Sequence, residues 1–144
     1  MIQSTRPQTI SYSLNDSPVG LASWLVEKFR AWSDCGGDVE KRFSKDELLT
    51  NVMIYWVTET ISSTARLYYE DSHTAPTLQA GQHIEVPAGV ATFPKDLTLP
   101  PRELGERFLR VQRWTQMPSG GHFAAWEEPE LLVSDMRAFF RPLR

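Results

Sequence analysis

Three polar side chains lie at positions where α/β enzymes place reactive groups. His122 and Asp96 each follow a predicted strand, and Tyr68 lies on a predicted buried helix. A neutral imidazole is a general base near neutral pH, a carboxylate fixes its tautomer, and a phenol donates a proton to a developing alkoxide. Each residue also has a plain structural interpretation: a packed loop histidine, a turn aspartate and a buried tyrosine. Spacing alone leaves both interpretations open.

The other polar candidates have weaker surroundings. His73 and His83 lie in loop-like segments with no partner at ligand spacing, so we expect surface residues. Cys35 is the only cysteine, which excludes an internal disulfide and a zinc site built on cysteines, and we expect it to be inert. The sequence therefore predicts neither a metal ion nor a cofactor, and any chemistry falls to the three side chains above.

The composition is that of an ordinary globular protein. The chain has 144 residues, of which 41% are hydrophobic and 23% charged, and this length is typical of one domain. Its formal net charge of −3 leaves no basic surplus for binding phosphates, so we expect no nucleic-acid partner. The apolar runs are short and residues 1–6 contain no apolar signal core, so we expect no membrane span and a cytoplasmic protein.

Two helices are predicted in the first half of the chain. The first begins at residues 16–18 and ends by residues 35–37, where two glycines follow a stripe of apolar residues. The second begins at a capping box over residues 44–47 and continues from Leu48 to Tyr69, with apolar residues on most sides as in a buried helix. Residues 1–15 are polar and are predicted to be irregular.

The second half alternates strands and helices. Strands are predicted from Ile84 to Phe93 and from Leu109 to Met117, with a short helix from Arg102 to Phe108 between them. A last helix is centred on Pro129 to Leu143, and Asp71 to Gln82 is predicted to be a loop. This order favours a parallel sheet covered by helices. Two strands alone would leave both outer edges unpaired, which indicates that part of the fold is missing.

A turn and an amphipathic helix follow the second strand. The turn spans residues 118–121, and its two glycines allow the backbone to approach a neighbour closely. The helix presents an apolar stripe at spacings of four, three and four: Leu132, Met136, Phe139 and Leu143. Its first turn is acidic and its end basic, which matches the helix dipole: Glu127, Glu128 and Glu130, then Arg137, Arg141 and Arg144.

These segments together resemble a known family, the microsomal-type epoxide hydrolases. The similarity runs in order over essentially the whole chain and is closest at Gly-Gly-His-Phe-Ala-Ala-Trp-Glu-Glu-Pro-Glu, residues 120–130. The similar segments lie at residues 2–7, 14–21, 48–53, 86–94 and 120–132.

The resemblance implies an α/β-hydrolase that opens an epoxide with a nucleophilic aspartate and forms an alkyl-enzyme ester. A histidine oriented by an acid then activates water to hydrolyse that ester. In this chain the resemblance implies that His122 is the base, Asp96 the acid, and Tyr68 one of two cap tyrosines that hold the epoxide oxygen, with Tyr69 a less suitable substitute. The implied substrate is a small hydrophobic epoxide, and the implied role is detoxification or the breakdown of aromatic compounds.

The chain departs from the family in what it lacks. None of its aspartates lies in a Gly-x-Asp-x-Gly elbow, a His-Gly-x-Pro oxyanion segment is absent, and the second cap tyrosine would fall before Met1. The predicted fold class is α/β, a partial α/β-hydrolase fold with cap-end helices followed by the last two core strands and the terminal helix. Residues 1–75 would form the end of the cap and a core-covering helix, and residues 76–144 the C-terminal strand-helix-strand-helix part of the core.

Three hypotheses for function remain. The chain is a C-terminal fragment of an epoxide hydrolase that is inactive alone. Alternatively, it is part of a split hydrolase that associates with a separate N-terminal half or with itself. The third hypothesis is a non-catalytic module that binds a hydrophobic ligand or a partner, and the presence of His122 and Asp96 argues against it, since a binder needs neither.

Overall fold

The chain divides into two compact units. A computed structural model describes residues 2–74 and 81–143. The first unit comprises residues 1–30 and 38–77, and the second comprises residues 31–37 and 78–144. The assignment of residues 1–75 to a cap end and 76–144 to a hydrolase core stays a prediction.

The first unit is helical. Its helices are α1 (Pro7–Asp16), α2 (Pro18–Trp32), α3 (Lys45–Thr58) and α4 (Ile61–Thr74), with a 3₁₀ turn at Val39–Lys41. The two final residues of α2 belong to the second unit. The predicted starts of α2 and α3 are confirmed, and the capping box of α3 has both of its hydrogen bonds. Within the described residues, no helix is long and apolar enough to cross a membrane.

Helix α1 overturns the expectation that residues 1–15 are irregular. Pro7 occupies the start of the helix, where its missing N–H costs nothing, and the Ser11 hydroxyl donates back to the Pro7 carbonyl at 2.8 Å. The helix packs against α4 and buries Leu14 in the core of the first unit. This polar segment has little helical preference of its own, so packing rather than local sequence decides its structure.

The single helix predicted from Leu48 to Tyr69 is two helices. The left-handed backbone of Glu59 (φ 55°, ψ 31°) ends α3, and α4 begins at Ile61. The expectation that this segment is buried on most sides is also wrong, because only part of α3 faces the core and these apolar residues are exposed: Leu49, Met53, Ile54 and Val57. Helix α4 then continues to Thr74, into the segment predicted to be a loop, while residues 75–80 with Pro76 lie outside the described residues.

The core of the first unit joins its four helices. Leu14 of α1, Leu21 of α2, Val52 of α3 and Ile61 of α4 form one buried cluster. Each helix therefore contributes one face to a shared interior, as expected of amphipathic helices.

The second unit is a two-stranded parallel sheet with helices. Its elements are β1 (Ile84–Thr92), α5 (Arg102–Glu106), β2 (Leu109–Gln116), α6 (Ala124–Glu127) and α7 (Pro129–Phe140), followed by a 3₁₀ turn at Arg141–Leu143. The predicted strands, their parallel pairing and the α/β fold class are confirmed. Helix α5 ends at Glu106, two residues before the predicted end.

The carboxyl ends of the two strands stay paired beyond the sheet. The Met117 N–H donates to the Thr92 carbonyl at 2.8 Å, and the Lys95 N–H donates to the Gly120 carbonyl at 3.1 Å. These bonds hold the segment after β1 beside the segment after β2. The sheet therefore determines which two loops meet.

Polar contacts hold helix α7 against β2. Oδ1 of Asp135 accepts from Nε of Arg113 and from the Thr115 hydroxyl, each at 2.7 Å. Arg113 and Thr115 share one face of β2, which explains why that face is not purely apolar. In the predicted stripe of α7, Leu132 and Phe139 are half-buried, whereas Met136 and Leu143 are exposed.

The left-handed backbone at Glu59 is strained for a residue with a Cβ atom and should lower the stability of the protein. Glycine adopts this conformation without the strain that a Cβ atom introduces, so Glu59→Gly should raise the free energy of unfolding by about 1 kcal/mol. Denaturant titration followed by circular dichroism measures the change. Glu59→Gln removes the charge but keeps the strain, and should leave stability unchanged. A glycine variant less stable than the wild type would contradict this account.

Candidate active site

The structure brings His122 and Asp96 together in the second unit. Asp96 follows β1 and His122 follows β2, and Nδ1 of the imidazole lies 2.9 Å from Oδ1 of the carboxylate. The side chains are 42% and 34% exposed, respectively, so the pair is open to solvent on one side. The contact joins residues that are 26 positions apart and depends on the parallel pairing of the strands.

Asp96 also forms a local turn. Its Oδ1 accepts the N–H of Leu97 at 2.7 Å, and its own N–H donates to the carbonyl of Phe93 at 3.1 Å. The two interpretations of this aspartate, as a turn residue and as a partner of histidine, therefore apply together. The same oxygen serves the turn and the imidazole.

The contact has a consequence for the protons of His122. An ionised carboxylate only accepts hydrogen bonds, so Nδ1 must carry the proton, and the neutral ring then has its lone pair on Nε2. In the described parts of the chain, no group is hydrogen-bonded to Nε2. Such an imidazole can accept a proton from a water molecule at Nε2 while Asp96 stabilises the resulting imidazolium.

Two aromatic rings contact the imidazole edge-on. The ring centroids of Trp32 and Phe123 lie 5.4 and 5.3 Å from that of His122. The plain interpretation expects His122 to pack on Phe123 and Trp126, and the contact with Phe123 is present. The sequence pattern places Trp32 only in the apolar stripe of α2, because nothing local links it to residue 122.

Backbone contacts fix the turn that carries His122. The His122 N–H donates to the Trp32 carbonyl at 2.9 Å. Gly121 lies so close to the same segment that a Cβ atom would come within 2.7 Å of that carbonyl oxygen, and Gly120 has a positive φ of 100°. The expectation that the glycine pair permits a close backbone approach is thereby confirmed.

Glu127 occupies a different place from the predicted one. It lies in the short helix α6, rather than in the first turn of the last helix, and is only 7% exposed. Its Oε2 accepts the N–H of Asp34 at 2.6 Å and its Oε1 accepts that of Phe123 at 3.0 Å. A glutamate among other acids is typical of a solvated helix start, so no local pattern predicts this burial.

The tyrosines lie in the first unit. Tyr68 is helical as predicted, but it lies on α4 and is exposed, so the expectation that it lies on a buried helix is wrong; its carbonyl accepts from the Ser72 hydroxyl. Tyr69 stacks on His73 with the ring centroids 4.1 Å apart. His73 lies in the last turn of α4 and not in a loop. The role of Tyr68 stays a prediction, since it belongs to the other unit.

The remaining candidates lie outside this pair. His83 is at 3.4 Å from Glu85, and Cys35 is buried. Over residues 2–74 and 81–143, no cluster of three or more His, Cys, Asp or Glu side chains is arranged to hold a metal ion. The chemistry of the described site is therefore that of a histidine-carboxylate pair.

Comparison with known proteins gives a consistent result, although no family model matches the chain. Epoxide hydrolase 1 of Sus scrofa is 43% identical over 149 aligned residues, which include 96% of this chain and 32% of that protein. The structure of Aspergillus niger epoxide hydrolase matches with a TM-score of 0.82 and 35% identity, over 100% of this chain and 35% of the other. Juvenile hormone epoxide hydrolase of Bombyx mori matches with a TM-score of 0.84 and 27% identity, over 99% and 37%.

These similarities first identify the class of fold. The chain has part of the α/β-hydrolase fold, which its structural neighbours share. Within that class it belongs to the epoxide hydrolase family and corresponds to the C-terminal part of its members. The chain spans about a third of the length of the relatives it matches.

The close backbone approach at Gly121 leaves no room for a side chain there. Gly121→Ala places a Cβ atom against backbone atoms of Trp32 and Asp34, which cannot rotate away, so stability should fall by about 1–3 kcal/mol. Chemical denaturation of the two proteins measures the loss. Gly36→Asn is the matched control, because Gly36 also has a positive φ, but open space surrounds it and asparagine tolerates this backbone. An alanine variant as stable as the wild type would show that the approach is looser than described.

Proposed function

We propose that this chain provides the water-activating half of an epoxide hydrolase active site. His122 acts as the general base, Asp96 orients it, and Tyr68 donates a hydrogen bond to the epoxide oxygen. The observation that supports this most directly is the 2.9 Å contact between the imidazole and the carboxylate, in a chain whose relatives are epoxide hydrolases. The residue that matches the base of the family is thus held by the residue that matches its acid.

The reaction has two steps in which these residues take part. In the first, a carboxylate attacks an epoxide carbon, the carbon–oxygen bond breaks, and the phenol of Tyr68 donates its proton to the leaving alkoxide. In the second, Nε2 of His122 takes a proton from water, and the resulting hydroxide attacks the carbonyl carbon of the ester. The ester bond breaks and the imidazolium returns the proton to the departing alkoxide, which releases a vicinal diol. The new carboxylic acid then ionises, and its proton restores the phenol of Tyr68, so that both groups return to their starting states.

The attacking carboxylate is the part that this sequence does not provide. None of its aspartates lies in a Gly-x-Asp-x-Gly setting, and the chain covers about a third of its relatives. We infer that the chain does not hydrolyse epoxides by itself. Its partner would be the N-terminal part of such an enzyme, whether in the same polypeptide or in a separate one, and its substrate a small hydrophobic epoxide.

A chimera tests the proposed function. This chain replaces the corresponding part of epoxide hydrolase 1 of Sus scrofa, to which it is 43% identical. With styrene oxide, the chimera should form diol and the isolated chain should form none. In the chimera, His122→Ala should abolish diol formation while the alkyl-enzyme ester accumulates, because the nucleophile still acts without a base. Intact-protein mass spectrometry detects the ester, and chromatography measures the diol.

His73→Ala is the matched control for this experiment. His73 is exposed on α4, and the change should leave turnover close to that of the unmodified chimera. Diol formation that survives His122→Ala would refute the assignment of the base. Turnover by the isolated chain, lost on His122→Ala, would refute the need for an N-terminal part.

A further inference from the structure

We propose that Glu127, acting with Asp34, is a positioning residue for His122. Its buried carboxylate fixes the backbone of residues 120–123 and thereby the place of the imidazole beside Asp96. The inference rests on the proposed function, in which His122 is the base, but the contacts that carry it are independent of any activity.

Glu127 accepts hydrogen bonds from two backbone N–H groups close to His122. One carboxylate oxygen accepts from the N–H of Phe123, the residue that directly follows His122, and the other accepts from the N–H of Asp34. A buried carboxylate is costly unless hydrogen bonds replace the water it has lost, and these two donors meet that need. Both oxygens are therefore committed to backbone N–H groups beside the imidazole.

Residues 32–34 also hold the turn that carries His122. Asp34 accepts the N–H of Gly120 at 3.1 Å, and the Trp32 carbonyl accepts that of His122 at 2.9 Å. Glu127 accepts the N–H of Asp34, so it positions residues 32–34, which are hydrogen-bonded to the turn. It also positions the turn itself, residues 120–123, through the N–H of Phe123. The two segments are about ninety positions apart in sequence, and this carboxylate joins them directly.

This arrangement maintains the distance between Nδ1 of His122 and Oδ1 of Asp96. The bond between His122 and Asp96 is 2.9 Å long, close to the best length for a hydrogen bond, and such bonds weaken steeply when the geometry is disturbed. A backbone displacement of about 1 Å that moves the turn away from Asp96 takes the two atoms out of hydrogen-bond range. Glu127 touches neither the imidazole nor Asp96 in the described hydrogen bonds, so its influence is transmitted by the backbone.

A change from carboxylate to amide separates positioning from packing. Glu127→Gln keeps the volume, but its nitrogen is a donor, so one of the two N–H groups loses its acceptor. Asp135 offers a matched comparison in the same unit. Its carboxylate is also largely buried and accepts from two donors, Arg113 and Thr115, but these lie on β2 and not in the turn.

The experiment measures the proton of His122 directly. In the full chain with ¹⁵N-labelled imidazoles, at a pH where the ring is neutral, nuclear magnetic resonance gives the fraction of molecules with the proton on Nδ1. This fraction should be high in the wild type and lower in Asp96→Asn. The fall in Asp96→Asn is the change expected when the carboxylate no longer accepts from Nδ1. Glu127→Gln should produce at least half of that fall. Asp135→Asn should lower the melting temperature but leave the fraction unchanged.

The outcomes decide the proposal. A wild-type Nδ1 fraction in folded Glu127→Gln would overturn it, and so would an equal fall in Asp135→Asn, which would make the effect a general consequence of lost stability. If Glu127→Gln does not fold, Glu127→Asp replaces it, since the shorter side chain keeps the charge but reaches only one N–H. Folded Glu127→Asp with the wild-type fraction would also overturn the proposal.

This measurement is independent of turnover. If the chimera described above forms no diol while Glu127→Gln shifts the proton of His122, the proposed function fails and the positioning role stands. If the chimera is active and the proton does not shift, the positioning role fails alone.

Discussion

The parallel pairing of β1 with β2 is the constraint on which the site depends. Parallel strands end at the same edge of a sheet, so the segments that follow them must meet there. The pairing continues past the strands through the bond between Lys95 and Gly120, which leaves Asp96 and His122 each only a residue or two away. The histidine-carboxylate contact is thus a result of strand register more than of attraction between two side chains, whose exposed ion pairing is weak.

A second constraint is that backbone N–H groups near the site need acceptors. The turn before His122 has little secondary structure of its own, and residues 32–34 with Glu127 provide the acceptors that a longer sheet or helix would otherwise provide. This explains why the glycine pair and a buried acid occur together. The glycines allow the two segments to approach, and the carboxylate satisfies the donors that the approach buries.

The sequence could predict elements with a strong local signature. The capping box at Ser44, the proline starts of helices and the strand–helix order of the second half all have causes within a few residues. Helix α1 and the break at Glu59 were missed because tertiary packing and one unusual backbone conformation determine them. At the site, His122 and Asp96 were singled out by their positions after predicted strands, and the family resemblance then favoured their functional interpretation over the plain one. Glu127 was not singled out, because its partners lie far along the chain and its neighbours suggest a solvated surface.

The turn formed by Asp96 affects the energetics of the site. Its Oδ1 is held by the N–H of Leu97 before any substrate arrives, so the carboxylate dipole already points at the imidazole. In the proposed mechanism, the ring gains a proton beside a carboxylate that a main-chain amide already holds in place. The reorganisation energy of that proton transfer is then lowered in advance, and the donor is a backbone group that a change of the Leu97 side chain leaves in place.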